Sequence, residues 1–267
     1  MHKDLAIIII ITACIASSCG GRVSAQAARQ AEEPEMLRAR TALEALPADV
    51  RPAIKAAIEA GPDRFFELLA AAEAESSRAG DLLVLVDKHH PLPSGFVPPD
   101  LVSLNDYALS VSRKDLRLRK AIIEAVEELN AAAKKDGVTL VFSSSYRSFE
   151  YQDGLFKRYA AQHGEAEASR FSARPGMSQH QLGTAIDLGS IDDSFAQTKA
   201  GIWMAANAYR YGFSLSYPHG MEPVTGYIWE SWHYRYITKP AALLERDYFG
   251  GIQQYLVEFI SAYRAAP

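Results

Sequence analysis

The chain reads as an α+β protein, with helices packed around a small set of short strands and a helical extension in front. Three observations predict this. Apolar residues recur at helical spacing, as in Leu118, Ile122, Ile123, Val126 and Leu129. Short β-branched and aromatic runs stand between such stretches: Val138 to Phe142, Phe213 to Tyr217 and Tyr227 to Tyr236. A hydrophobic content of 48% over 267 residues is enough to bury a sizeable core. The net charge of −4 gives no basic footprint, which argues against a nucleic-acid partner. Both cysteines, Cys14 and Cys19, fall within the first twenty residues. The body therefore has no disulfide, and a metal there must be held by His, Asp or Glu.

Residues 1–19 read as a signal peptide of lipoprotein type. The apolar run from Leu5 to Ala16 is short for a membrane span, which needs roughly 20 apolar residues, and suits a secretory segment. Three processing points are open: lipidation at Cys19 after a loose lipobox, lipidation at Cys14, or cleavage after Ala25. The expectation is export to the periplasm or cell envelope with a lipid anchor at Cys19, and no other membrane contact. Residues 20–35 are small and polar and read as a linker. Residues 36–80 are rich in Ala, Glu and Leu, punctuated by Pro47, Pro52 and Gly61-Pro62, and read as short amphipathic helices capping the domain behind them. That domain spans 81–267.

Leu82 to Val86 is a continuous apolar run that suits a buried strand. His89-His90 follows in a proline-rich loop, where adjacent side chains on extended chain point apart and form no ligand set. Asp115 opens a helix that Gly137 closes. The strand from Val138 to Phe142 delivers Ser143 to Ser148, with Ser148 capping a helix from Phe149 to about Gln162. Arg147 thus sits at a strand-to-helix corner. Glu165 to Phe171 is a short helix. Gln197 to Tyr211 is another, with Ile202, Trp203, Ala206 and Tyr209 on one side and Gly212 as its stop. Ala241 to Tyr263 resumes helical spacing and is expected on the outside.

Two stretches carry candidate chemistry: Ser178-Gln179-His180-Gln181-Leu182-Gly183-Thr184-Ala185-Ile186-Asp187 and Glu230-Ser231-Trp232-His233. A hydrolytic zinc site needs about three protein ligands, an open position for water and a nearby base. His180, Asp187 and His233 are candidate ligands for one Zn2+, and Glu230 is the candidate base. A closed structural site usually takes four ligands, which disfavours that alternative. Glu230 and His233 are three apart and face opposite ways on a regular strand, so a bulge or turn between them is required. Arg147 is the candidate cation for an oxyanion or a substrate carboxylate. Each residue alone also fits packing, capping or a surface ion pair; their joint occurrence points to a site.

The pattern Ser178-x-His180-x-x-Gly183-x-Ala185-x-Asp187, with Glu230-x-Trp232-His233-Tyr234-Arg235-Tyr236, resembles the VanY/LdcB-type zinc carboxypeptidases of the M15B peptidase family. Ser145-Tyr146-Arg147-Ser148 with Gln152, and Tyr211-Gly212-Phe213 through Tyr217-Pro218, extend the match, which covers roughly Leu82 to Ile237. The resemblance implies a small antiparallel sheet flanked by helices with zinc in a groove, as in Hedgehog/DD-peptidase-like folds. It implies His180, Asp187 and His233 as zinc ligands, Glu230 as general base, and Arg147 as the grip on substrate carboxylate or carbonyl. Ser178 and Gln152 would line the peptide site. The implied partner is a peptidoglycan stem peptide losing its C-terminal D-alanine, acted on by a monomer. An L,D-carboxypeptidase on tetrapeptide stems and a non-catalytic peptidoglycan-binding lipoprotein are the alternatives. Ser216 stands where the family often has arginine, and Ser231 where it has proline.

Overall fold

The computed structural model describes residues 34–267. The signal segment, its processing points and most of the linker lie outside the described residues. Among the described residues no helix is long and apolar enough to cross a membrane.

The chain is helical over residues 34–43, then forms α1 (Arg51–Ala60) and α2 (Pro62–Arg78). Pro52 and Pro62 sit in first turns, where a missing N–H leaves no helical bond unmade. Leu82 to Val86 is buried at three positions but forms no strand. Its carbonyls are used otherwise: the fully buried Arg235 guanidinium donates to Leu82 O at 2.9 Å and Val84 O at 2.8 Å. A side chain thus replaces a ladder partner, which hydropathy alone does not reveal.

Strands β1 (Leu101–Ser103) and β3 (Arg117–Arg119) form a separate antiparallel pair. The helix expected from Asp115 therefore starts late, as α3 (Ile123–Lys135), because Arg117 to Arg119 are taken by β1. Helices α4 (Phe149–His163), α5 (Glu165–Phe171) and α6 (Lys199–Asn207) lie where expected. In α6, however, Ile202 is 62% exposed; Trp203 is buried as expected, together with Met204 and with Ala208 of the 3-10 turn that follows. A short α7 (Glu222–Thr225) precedes the second candidate stretch.

The main sheet joins β2 (Ser110–Val111), β4 (Val141–Ser144), β5 (Ala185–Leu188), β6 (Phe213–Leu215) and β7 (His233–Tyr236) in the order β2-β4-β5-β7-β6. It is antiparallel except for the edge pair β2–β4, which is parallel. Residues 227–232 are not part of β7. One sheet face is apolar: Phe142, Ile186, Leu188, Phe213, Tyr234 and Tyr236 pack with Val126 and Leu129 of α3. Strand alternation then sends Asp187 and His233 to the other face.

The C-terminal stretch forms α8 (Lys239–Tyr248) and α9 (Gln253–Ala265). It is interior rather than outside, with Leu256, Phe259 and Ile260 fully buried. They share one cluster with Leu43, Ile58, Phe65 and Leu69 of the N-terminal helices. Phe65 meets Tyr248 and Phe259 edge-on, with ring centroids 5.1 and 5.8 Å away.

Phe65→Ala should therefore destabilise the whole domain by about 3–5 kcal/mol, as large-to-small core changes do; urea unfolding followed by tryptophan fluorescence measures it. A loss confined to the N-terminal helices would leave that signal in place. Burial pushes the Glu245 carboxyl from 4.5 up to about 8. An acid whose folded pKa is raised takes stability away as pH climbs from its unfolded to its folded value. Glu245→Gln should raise Tm increasingly between pH 4.5 and 8 and change it little at the acid end.

Candidate active site

Asp187 of β5 and His233 of β7 are directly opposite one another in the ladder. Their side chains meet on the non-core face, with Asp187 Oδ1 2.9 Å from His233 Nδ1. His180 arrives from a 3-10 turn, Gln179–Leu182, whose start is capped as the His180 N–H donates to Ser178 Oγ. Gly183 ends that turn at φ +70°, and a Cβ there would crowd Arg119, Leu101 and Pro98 at 3.0–3.2 Å. His180 Nε2 then lies 3.2 Å from Asp187 Oδ2. The three potential ligand atoms all fall within 4.8 Å of one another.

Glu230 and His233 meet the geometric demand of their spacing through a turn. The His233 N–H donates to Glu230 O at 3.1 Å, so the chain folds back before β7 begins. Glu230 Oε2 stands 3.8 Å from His233 Nδ1. Arg147 follows β4, where a register irregularity between Phe142 and Ser144 aligns Ser144 with Asp187. Its Nε and Nη2 donate to Ser144 Oγ, and Nη2 donates to Asp187 Oδ2 at 2.8 Å. Arg147 is thus tied to the aspartate rather than free, and among the described residues only Nη1 makes no hydrogen bond.

The protons can be placed from the partners. His180 Nδ1 is 2.7 Å from Ser145 O, and a carbonyl can only accept, so Nδ1 carries the hydrogen. His233 Nε2 donates to Gln179 Oε1 at 3.2 Å. The nitrogens facing Asp187 are then lone pairs, and three acceptors converge with no hydrogen between them. Such a donor set fits a divalent cation: two imidazoles and one carboxylate, with room for a fourth ligand. Burial and the Arg147 charge push His180 down to about 4, which keeps that imidazole neutral. Burial and the Asp187 charge push Glu230 well above its ordinary value, with Arg147 acting the other way.

The cluster opens into a cleft of ≈ 350 Å³ that Arg147, Glu230, Ser178 and Gln152 also line. Gln152 is buried, held by donation of its amide to Ala173 O at 2.7 Å. Tyr151 and Ile191, both exposed, add apolar surface to the cleft. His89 and His90 lie outside the cluster, their backbone N–H groups donating to Asp87. Sequence reasoning missed Tyr217, whose ring lies tilted against His233 with centroids 4.9 Å apart, and Gln179. The signal for Gln179 was its place beside a candidate ligand in a stretch that buries every residue from Ser178 to Leu188.

Residues 115–239 match the family model described as VanY, D-alanyl-D-alanine carboxypeptidase. The YodJ protein of Bacillus subtilis strain 168 is 36% identical over 183 residues, covering 66% of this chain and 67% of YodJ. The solved LdcB LD-carboxypeptidase is 34% identical, with a TM-score of 0.59 over 65% of this chain and 88% of its own. A VanY D,D-pentapeptidase from a VanB-type resistance cassette, solved in complex with Zn(II), is 29% identical, with a TM-score of 0.55 over 66% and 98%. Sequence and fold agree over the region that builds the cluster, and the chain belongs to the VanY family of D-alanyl-D-alanine carboxypeptidases, peptidases of the M15B type.

Proposed function

We propose that this protein is a zinc-dependent carboxypeptidase that removes the C-terminal D-alanine from peptidoglycan stem peptides at the cell envelope. The observation that carries it is the convergence of three lone-pair donors, His180, Asp187 and His233, beside one uncommitted carboxylate, Glu230. Those three residues would hold one Zn2+; the zinc-bound VanY neighbour supports that choice of metal. When bound, zinc polarises a carbonyl and lowers the pKa of water toward ~7.

The chain's own groups supply the remainder. Glu230 takes a proton from the attacking water and returns it to the leaving amine. Burial suits it to both tasks, because a carboxylate that holds a proton more readily than usual is the stronger base. Arg147 anchors Asp187 through Nη2 and offers Nη1 to the carboxylate or carbonyl oxygen of the substrate. Ser178 and Gln152 line the path of the peptide. Residues 1–19 would direct the chain out of the cytoplasm, and residues 81–267 would form the catalytic unit, working as a monomer.

The LdcB neighbour supports a second reading, an L,D-carboxypeptidase acting on tetrapeptide stems. Product mass decides between them. Purified protein given pentapeptide and tetrapeptide stems should shorten the pentapeptide by one alanine; shortening of the tetrapeptide alone establishes the second reading. Cleavage should stop with chelator and return with zinc. Failure on both stems, with zinc bound, makes the protein a binding module. Glu230→Gln should lower kcat by about 10²–10⁴-fold, the usual worth of a general base, while zinc content measured by elemental analysis stays at one per chain. Turnover equal to the parent would remove Glu230 from the mechanism.

A further inference from the structure

We propose that Gln253, on the C-terminal helix α9, is a positioning residue for the metal centre, acting through Gln179 to keep the His233 hydrogen on Nε2 and so leave the Nδ1 lone pair facing Asp187. This rests on the reading of His180, Asp187 and His233 as metal ligands. Gln253 lies beyond the residues 115–239 that match the family model, so the inference extends the site outside that span.

Gln179, Ser216 and Gln253 are buried, with 4%, 2% and 1% of their surface exposed. They form a closed ring of hydrogen bonds. Gln179 Nε2 donates to Gln253 Oε1 at 3.0 Å, Gln253 Nε2 donates to Ser216 Oγ at 3.1 Å, and Ser216 Oγ donates to Gln179 Oε1 at 2.7 Å. Gln179 Oε1 is left facing His233 Nε2.

Such a ring can run in either direction. Turning both amides over and reversing the serine hydroxyl satisfies every partner again. In that reversed ring Gln179 presents N–H to His233 Nε2. The imidazole then carries its hydrogen on Nδ1, pointing at Asp187, and no longer offers that nitrogen to a metal. The two directions differ at one place. Gln253 Nε2 also reaches Ser214 O at 3.5 Å, and a backbone carbonyl accepts but never donates. Reversal would set Gln253 Oε1 against that carbonyl, two acceptors in a buried place. Ser214 O therefore fixes Gln253, Gln253 fixes Gln179, and Gln179 fixes His233. Partners of this outer kind typically change metal affinity by about 10–100-fold.

The test is zinc affinity, measured by competition with a chromogenic chelator on protein shown to be folded by circular dichroism. Gln253→Met keeps volume and removes the direction; it should weaken zinc by about tenfold. Adding Gln179→Glu to Gln253→Met should restore affinity, because a carboxylate presents an acceptor to His233 whichever way it turns. A packing role predicts no such rescue. Gln253→Met with parental affinity, or a loss that Gln179→Glu leaves in place, overturns the proposal. Should Gln253→Met fail to fold, Gln253→Asn, polar but short of Gln179, is read against the same two outcomes. A parent protein that takes up no zinc overturns the metal reading itself, a result separable from any effect of the variants.

Discussion

The constraint on which the rest depends is the Asp187 carboxylate, buried between two imidazoles that both present lone pairs to it. A buried charge that meets acceptors is costly unless a cation joins it. Arg147 supplies one positive charge at 2.8 Å, on the side away from His233. A metal ion would match the remaining acceptors. The ladder register that places Asp187 opposite His233, the glycine turn that returns His180, and the fold-back at Glu230 all serve this convergence.

The scaffold divides its labour across the two faces of one sheet. The core face packs aliphatic and aromatic side chains against α3, and alternation alone then delivers the polar face to the cleft. The second hydrophobic cluster, shared by the N-terminal helices and α9, holds the C-terminal helix whose Gln253 reaches the outer shell of His233. Packing and site chemistry are in this way joined through one helix. Arg235 adds a further tie, on the same strand as His233, by holding the stretch that follows α2 through its carbonyls.

Much of this was legible in the sequence because periodicity and motif residues carry it. The α+β class, helices α3 to α6, the capping by Ser148 and the glycine stop at Gly212 follow from local patterns. The convergence of His180, Asp187 and His233 was anticipated from two separated stretches, and the three-residue spacing of Glu230 and His233 correctly demanded a turn. What was not legible depended on partners far away in sequence. Leu82 to Val86 looks like a strand, but Arg235, over 150 residues on, takes its carbonyls. Arg117 to Arg119 carry helical spacing, yet β1 claims them. The C-terminal helices looked peripheral because their apolar faces gave no hint of which surface would cover them. Arg147 was expected to meet the substrate, with a surface ion pair as the alternative, and only the tertiary structure shows its bond to the buried Asp187.

Family membership and the arrangement of the cluster converge on a peptidase whose metal would be held by two stretches well apart in sequence, one with His180 and Asp187 and one with His233. The most direct test is the coordination shell itself. X-ray absorption at the zinc edge of the loaded protein should show two imidazole nitrogens with oxygen completing the shell, and His180→Ala and His233→Ala should each remove one imidazole. A shell without histidine, or one unchanged in both variants, would contradict the account.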